Sequence, residues 1–178
     1  MGDASLSFRA EIGFDVSDSY APVIEDCLAT GVGTAYYFVT ASNVTPEDGA
    51  FRYCTADYCK TGVRFVQTVG VEPTLWITGC DLTARDYGAW IVGRRILHIT
   101  GNTFRQLSEA YALRDIQLDW AHLGVVLDNT FPGSLVGGRK NIAVDADGLD
   151  LIFSGNAYSG GAGDAVQVDP GAVDIFMY

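Results

Sequence analysis

The sequence predicts an all-β fold, a right-handed parallel β-helix of about six coils. Three observations carry this. A short phrase recurs along the chain at nearly constant spacing. A large apolar residue stands three places before the end of every copy. Glycine is abundant where proline is scarce, 21 against 5, which suits many tight bends.

The phrase is clearest in Leu75-Trp76-Ile77-Thr78-Gly79-Cys80, Leu97-His98-Ile99-Thr100-Gly101-Asn102, Val125-Val126-Leu127-Asp128-Asn129 and Leu151-Ile152-Phe153-Ser154-Gly155-Asn156. Looser copies end at Cys27 and Cys54. The closing residues Cys27, Cys54, Cys80, Asn102, Asn129 and Asn156 are 27, 26, 22, 27 and 27 residues apart. Three positions earlier stand Ile24, Phe51, Ile77, Ile99, Val126 and Phe153, all large and apolar. Strands rise about 3.3 Å per residue and pair about 4.8 Å apart, so this period closes one flattened coil of strand, bend, strand and longer loop. Stacking then turns the position three before the close into an inward apolar ladder, which no single coil could bury. At the bend, Asn tolerates left-handed backbone angles and its amides can bond up the stack, while Cys fits the same column as a small apolar residue.

Second strands are predicted at 34–39, 62–66, 88–92, 115–119, 141–145 and 164–168, with Gly62 and Gly88 each eight residues after a closing cysteine. Phe104 to Leu113 has room for one short helical turn. Residues 1–20 read as a lead-in or partial coil and 21–178 as a single β-helix domain. The rival, a Greek-key sandwich, would not produce a repeated bend at this spacing.

Composition bounds the function. Apolar residues make up 48% and charged residues 19% of 178, which is globular rather than disordered. The formal charge of −11 argues against a nucleic-acid surface, which needs basic residues to displace counterions. It fits a soluble acidic surface, calcium binding or an acidic groove. No apolar run approaches the roughly 20 residues of a membrane span, and Met1-Gly2-Asp3-Ala4-Ser5 lacks the basic and apolar regions of a signal peptide.

The phrases Ile99-Thr100-Gly101-Asn102-Thr103-Phe104 and Leu127-Asp128-Asn129-Thr130-Phe131 resemble the pectate-lyase-like β-helix superfamily, over roughly residues 21 to 178. That group holds polysaccharide lyases, polygalacturonase-type hydrolases, sugar epimerases and phage tailspikes. The resemblance concerns scaffold repeats, so the site must be argued separately. It implies a polysaccharide ligand, side-by-side homotrimers and an extracellular or virion-associated setting. Members are longer than this chain, and neither a capping helix nor a capped end is evident. An open coil end is an unpaired edge, so a cap or a longer parent chain is expected.

Lyases of this group hold Ca²⁺ on carboxylates and take a proton with Arg or Lys. The hydrolases use paired aspartates. The last third of this chain holds Asp115, Asp119, Asp145, Asp147, Asp150, Asp164, Asp169 and Asp174. Asp115, Asp119, Asp145, Asp147 and Arg114 are the catalytic candidates. Asp145 and Asp150 repeat 24 residues later as Asp169 and Asp174, so these four are the candidate calcium ligands. The competing reading makes them solvated bend residues, which Asp favours. Further bases are Arg94, Arg95, Arg139 and Lys140, and none completes a family motif with the acids. No cofactor is required, and calcium is the candidate metal.

Side chains alternate along a strand, so an outward column is expected at Val23, Ala50, Trp76, His98, Val125 and Ile152, and another at Glu25, Arg52, Thr78, Thr100, Leu127 and Ser154. Trp76 and His98 are candidates for stacking on a sugar ring, or for contact with a neighbouring loop or chain. The first column is too apolar for open water and predicts an interface. His98 and His122 have no metal-ligand spacing with any cysteine, and Cys54 and Cys59 are close enough in sequence for a disulfide that spacing alone does not establish. The sequence therefore supports a tailspike-like, glycan-engaging β-helix, with a calcium-dependent lyase or an Asp-based glycoside hydrolase as the alternative.

Overall fold

The computed structural model describes residues 10–40, 48–67, 74–93, 96–107, 114–132, 140–159 and 165–178. These form a parallel β-solenoid without helix. In chain order, β1 (Ala10–Asp15) leads in. The coils that follow are β2 (Val23–Glu25), β3 (Leu28–Thr30) and β4 (Val32–Thr40); β5 (Gly49–Arg52) and β6 (Thr55–Gln67); β7 (Thr74–Thr78) and β8 (Asp81–Val92); β9 (Ile96–Thr100), β10 (Thr103–Gln106) and β11 (Arg114–Asp119); β12 (His122–Leu127), β13 (Thr130–Phe131) and β14 (Ile142–Val144); β15 (Leu149–Ser154), β16 (Ala157–Tyr158) and β17 (Val166–Val168). β18 (Val173–Met177) adds a last strand. The stack of about six coils expected from the repeat is present.

Each coil has three walls, where the sequence suggested two strands and a loop. Wall 1 is a seven-stranded parallel sheet in the order β2-β5-β7-β9-β12-β15-β18. Wall 2 runs β3, β6, β8, β10, β13, β16, and wall 3 runs β1, β4, β6, β8, β11, β14, β17. β6 and β8 serve both walls, their first halves pairing in wall 2 and their second halves in wall 3. The corner inside these two strands explains Gly62 and Gly88. A Cβ on Gly62 would sit 2.4 Å from the Gly88 carbonyl oxygen, and one on Gly88 would sit 2.4 Å from the Phe104 ring.

The uneven spacing also has a structural cause. In the first coils the long connection joins wall 3 to wall 1, between β4 and β5 and between β6 and β7. From the fourth coil it joins wall 2 to wall 3, between β10 and β11, β13 and β14, and β16 and β17. The 22-residue step from Cys80 to Asn102 crosses neither insertion. The short helical turn expected at Phe104 is instead strand through Gln106, and 108–113 lie outside the described residues.

The left-handed residue of the bend is not the closing Asn or Cys but the one before it. Asp26, Tyr53, Gly79, Gly101, Asp128 and Gly155 have φ of 52°, 53°, 65°, 65°, 55° and 66°. That single residue turns the chain from wall 1 into wall 2 and frees the next side chain to point inward. Asn102 and Asn129 are fully buried there, and they form a ladder. Asn102 Nδ2 donates to Asn129 Oδ1 at 2.9 Å and to the Ile77 carbonyl at 2.8 Å. Asn129 Nδ2 donates to Asn156 Oδ1 at 3.0 Å and to the Ile99 carbonyl at 2.9 Å. Each Oδ1 also accepts the backbone N–H of the rung before, Cys80 to Asn102 at 2.8 Å and Asn102 to Asn129 at 3.0 Å.

The cysteines copy half of this pattern. Cys80 Sγ faces the Phe51 carbonyl at 3.5 Å and Cys54 Sγ the Ile24 carbonyl at 3.4 Å, the places Asn102 fills one coil later. Cys27, Cys54, Cys59 and Cys80 are free thiols. The hydrogen bond shared with Cys54, together with burial, pushes the Cys80 thiol well up, and burial does the same to Cys59.

Inside the walls, like packs on like. Ile24, Phe51, Ile77, Ile99, Val126 and Phe153 pair in register up wall 1, each at most 8% exposed. In wall 2, Phe104, Phe131 and Tyr158 stack with centroids 5.3 and 5.0 Å apart and planes within 9°. Wall 3 contributes Tyr36, Val63, Ala89, Ile116 and Ile142. The Tyr36 hydroxyl, buried between walls, lies 2.6 and 2.8 Å from the Cys27 and Thr55 carbonyl oxygens and shares its one proton between them.

Candidate functional site

The outward face of wall 3 gathers most of the chemistry. Parallel register places Tyr37, Arg64, Trp90, Gln117, Ala143 and Gln167 in one column across successive coils. The Arg64 guanidinium lies over the Trp90 ring at 4.5 Å and the Tyr37 ring at 5.8 Å, and Tyr87 stacks on Trp90 at 5.0 Å. Cation–π contacts of this kind hold the guanidinium in place. Asp119 closes the group: Trp90 Nε1 donates to its Oδ2 at 2.8 Å and Gln117 Nε2 to its Oδ1 at 2.6 Å. Arg114 Nη2 donates to Gln167 Oε1 at 3.0 Å, and Gln167 Nε2 reaches Asp169 Oδ1 at 3.5 Å. Burial, then the charges of Asp119 and Asp86, push the Tyr87 hydroxyl above its ordinary value, so it remains a hydrogen-bond donor.

The predicted catalytic residues divide between three places. Asp119 and Arg114 stand on this wall. Asp115 does not: it is 2% exposed, inside the corner between walls 2 and 3. Gln106 Nε2 donates to its Oδ1 and Asn141 Nδ2 to its Oδ2, both at 2.6 Å. These bonds tie together the two ends of the β10–β11 connection and the coil above. Burial raises the Asp115 carboxyl to about 6, against the opposing pull of the two amides. Asp145 organises a turn, where its Oδ1 accepts the N–H groups of Trp120 at 3.1 Å and Asp147 at 3.2 Å. Burial raises its pKa too, and the neighbouring Asp119 charge adds to this. Asp147 is exposed.

The offset of 24 does stack the acids in pairs, on two separate walls. Asp119, Asp145 and Asp169 each follow one of the paired residues Leu118, Val144 and Val168 at the exit of wall 3. Asp150 and Asp174 lie one above the other at the start of wall 1, both at φ 54°. Among the described residues, no group of three His, Cys, Asp or Glu side chains is placed to hold a metal ion. Arg94, Arg95, Arg139 and Asp164 lie outside the described residues.

Trp76 and His98 are brought together on wall 1, stacked at 5.7 Å and 16°. One face of each ring is turned toward the other.

Sequence reasoning missed Tyr37, Arg64, Tyr87, Trp90, Gln117 and Gln167. A signal was present: the outward column of wall 3 repeats at nearly the same steps as the bend, 37, 64, 90, 117, 143 and 167. It carries mixed chemistry rather than one residue type, so no phrase repeats by eye. No family model, no curated protein and no solved structure matches the chain.

Proposed function

We propose that this chain is a glycan-engaging β-helix whose contact face is wall 3, in the manner of tailspikes and other polysaccharide-handling solenoids that its bend phrases resemble. The observation that carries the reading is the band of planar polar side chains, Gln117, Asp119, Arg114 and Gln167, set among Tyr37, Tyr87 and Trp90 on one wall. Sugars present hydroxyls to such amide and carboxylate groups and C–H faces to aromatic ones. A few placed polar groups against aromatic surface is the usual composition of a small-molecule site. The side chains are already hydrogen-bonded to one another, so a ligand meets them in position and little ordering entropy is lost. A polysaccharide ligand suits an extracellular or virion-associated setting.

Affinity electrophoresis or calorimetry against a panel of neutral and acidic polysaccharides tests this. Trp90→Ala and Asp119→Asn are expected to weaken binding by about tenfold or more, the loss of one well-placed contact. No binding across the panel, or binding indifferent to both substitutions, refutes the reading. Following the same mixtures for new reducing or unsaturated ends, with and without calcium, reads out the lyase and hydrolase alternatives through Asp119, Asp145 and Arg114.

A further inference from the structure

Wall 1 differs from the other two in what it presents to solvent. Its outward column pairs in register through all seven strands: Val23, Ala50, Trp76, His98, Val125, Ile152 and Phe176. Val23 is 56% exposed, Ile152 38% and Phe176 45%, while Ala50 is sunk to 3%. Beside this column, the Thr78 and Thr100 hydroxyls share one hydrogen bond at 3.4 Å. The three central strands, β7, β9 and β12, hold no Asp, Glu, Lys or Arg. On walls 2 and 3, by contrast, β6, β8 and β11 all carry both signs of charge.

We infer that wall 1 is a self-association surface, which packs face to face on the same wall of a second copy of this chain. A second copy carries the same net charge of −11 and is repelled least where charge is sparsest; wall 1 carries none on its three central strands and only Glu25, Arg52, Asp150 and Asp174 on the outer ones. The area suffices. Strands of about five residues at about 3.3 Å each, seven deep at about 4.8 Å, give about 500 Å² per copy. Two copies bury about 1,000 Å², the lower bound for a specific interface, so the association is weak and reversible.

The arrangement follows from the same residues. With the two solenoids antiparallel about a two-fold axis at the level of β9, Trp76 meets the level of Val125, Ile152 that of Ala50, Arg52 that of Asp150 and Glu25 that of Asp174. A parallel pair would instead set Glu25, Arg52, Asp150 and Asp174 each level with its own copy. A two-fold pairing is isologous and closes on itself, so it does not propagate into fibres.

Light scattering coupled to size exclusion, over a micromolar concentration series, is expected to give twice the 19.1-kDa chain mass, falling toward one chain on dilution. Val125→Glu and Ile152→Glu are expected to weaken the association at least tenfold. Circular dichroism and thermal melting of these variants check that the coils remain folded. Thr83→Glu, on the outward side of wall 2, is expected to leave the mass unchanged. Trp76→Cys mixed with Val125→Cys, but not Trp76→Cys alone, is expected to cross-link through a bis-maleimide spanning about 10 Å, the spacing of packed sheets. A single-chain mass throughout, or a dimer indifferent to both wall 1 substitutions, overturns the inference. A mass of three chains overturns the two-fold pairing in favour of the threefold assembly that the tailspike resemblance implies. A persistent dimer in which Trp76→Cys and Val125→Cys do not cross-link to each other overturns the antiparallel arrangement.

Discussion

Asn129→Ala tests the ladder most directly. The Asn129 side chain takes part in four hydrogen bonds: two donated by Nδ2, to Ile99 and Asn156, and two accepted by Oδ1, from the Asn102 backbone and side chain. Each is worth about 1 kcal/mol net, and a buried N–H left unpaired costs a further 1 to 3 kcal/mol. The Asn102 backbone N–H loses this partner in the variant, and a small void opens at a fully buried position. The expected cost is about 5 to 7 kcal/mol, comparable with the roughly 5 to 15 kcal/mol of a typical domain. Asn129→Cys should cost about half as much, because a thiol can still donate to the carbonyl of the preceding coil, as Cys80 faces Phe51 at 3.5 Å. Cys80→Asn should do the reverse and add a rung, for a gain of about 1 kcal/mol. Urea unfolding followed by circular dichroism at constant m reads all three variants. A loss below about 1 kcal/mol for Asn129→Ala, or equal losses for Ala and Cys, would refute the assignment of stability to the amide ladder.

Two further substitutions address the backbone and the buried acid. Gly101→Ala places a Cβ at φ 65° with nothing within 4 Å, so its cost is the left-handed penalty alone. Urea melts should show a loss of about 1 to 2 kcal/mol, and a neutral result would remove the case for a left-handed requirement at the bend. Asp115, raised by burial from an ordinary carboxyl value to about 6, favours the folded state when protonated. Its contribution is therefore full below the unfolded value near 3.8 and is lost as pH rises through about 6. Wild type minus Asp115→Asn should show a decline in stability of about 3 kcal/mol across that window. A flat or rising difference contradicts a carboxyl whose protonation is governed by burial.

The coil stack was legible because its signal is periodic and local. Ile77, Ile99 and Val126 hold the same offset from Cys80, Asn102 and Asn129, and inward apolar residues must repeat if coils are to stack. The third wall was not legible, because Thr55–Gln67 and Asp81–Val92 turn a corner without a break, at glycines that look like ordinary strand interruptions. The left-handed residue was placed one position late. Asn carries both a turn preference and a ladder preference, and only the side-chain bonds of Asn102 and Asn129 show which one operates here. The acids divided according to burial. Asp119 and Asp115 are four residues apart on one strand, yet one faces the polar wall and the other is sealed between Gln106 and Asn141. Sequence alternation does not predict this, because Asp115 and Ile116 are both buried at the corner.

The shift of the long connection from one corner to another, between the first coils and the later ones, bears on how such a molecule can change. Hydrogen bonds in the walls run from coil to coil. The 22-residue step shows that a coil closes without either insertion. Connections can therefore be lengthened, exchanged or transplanted at either corner while the walls keep their pairing. The outline of the molecule is free to drift at the rims, on an unchanging shaft.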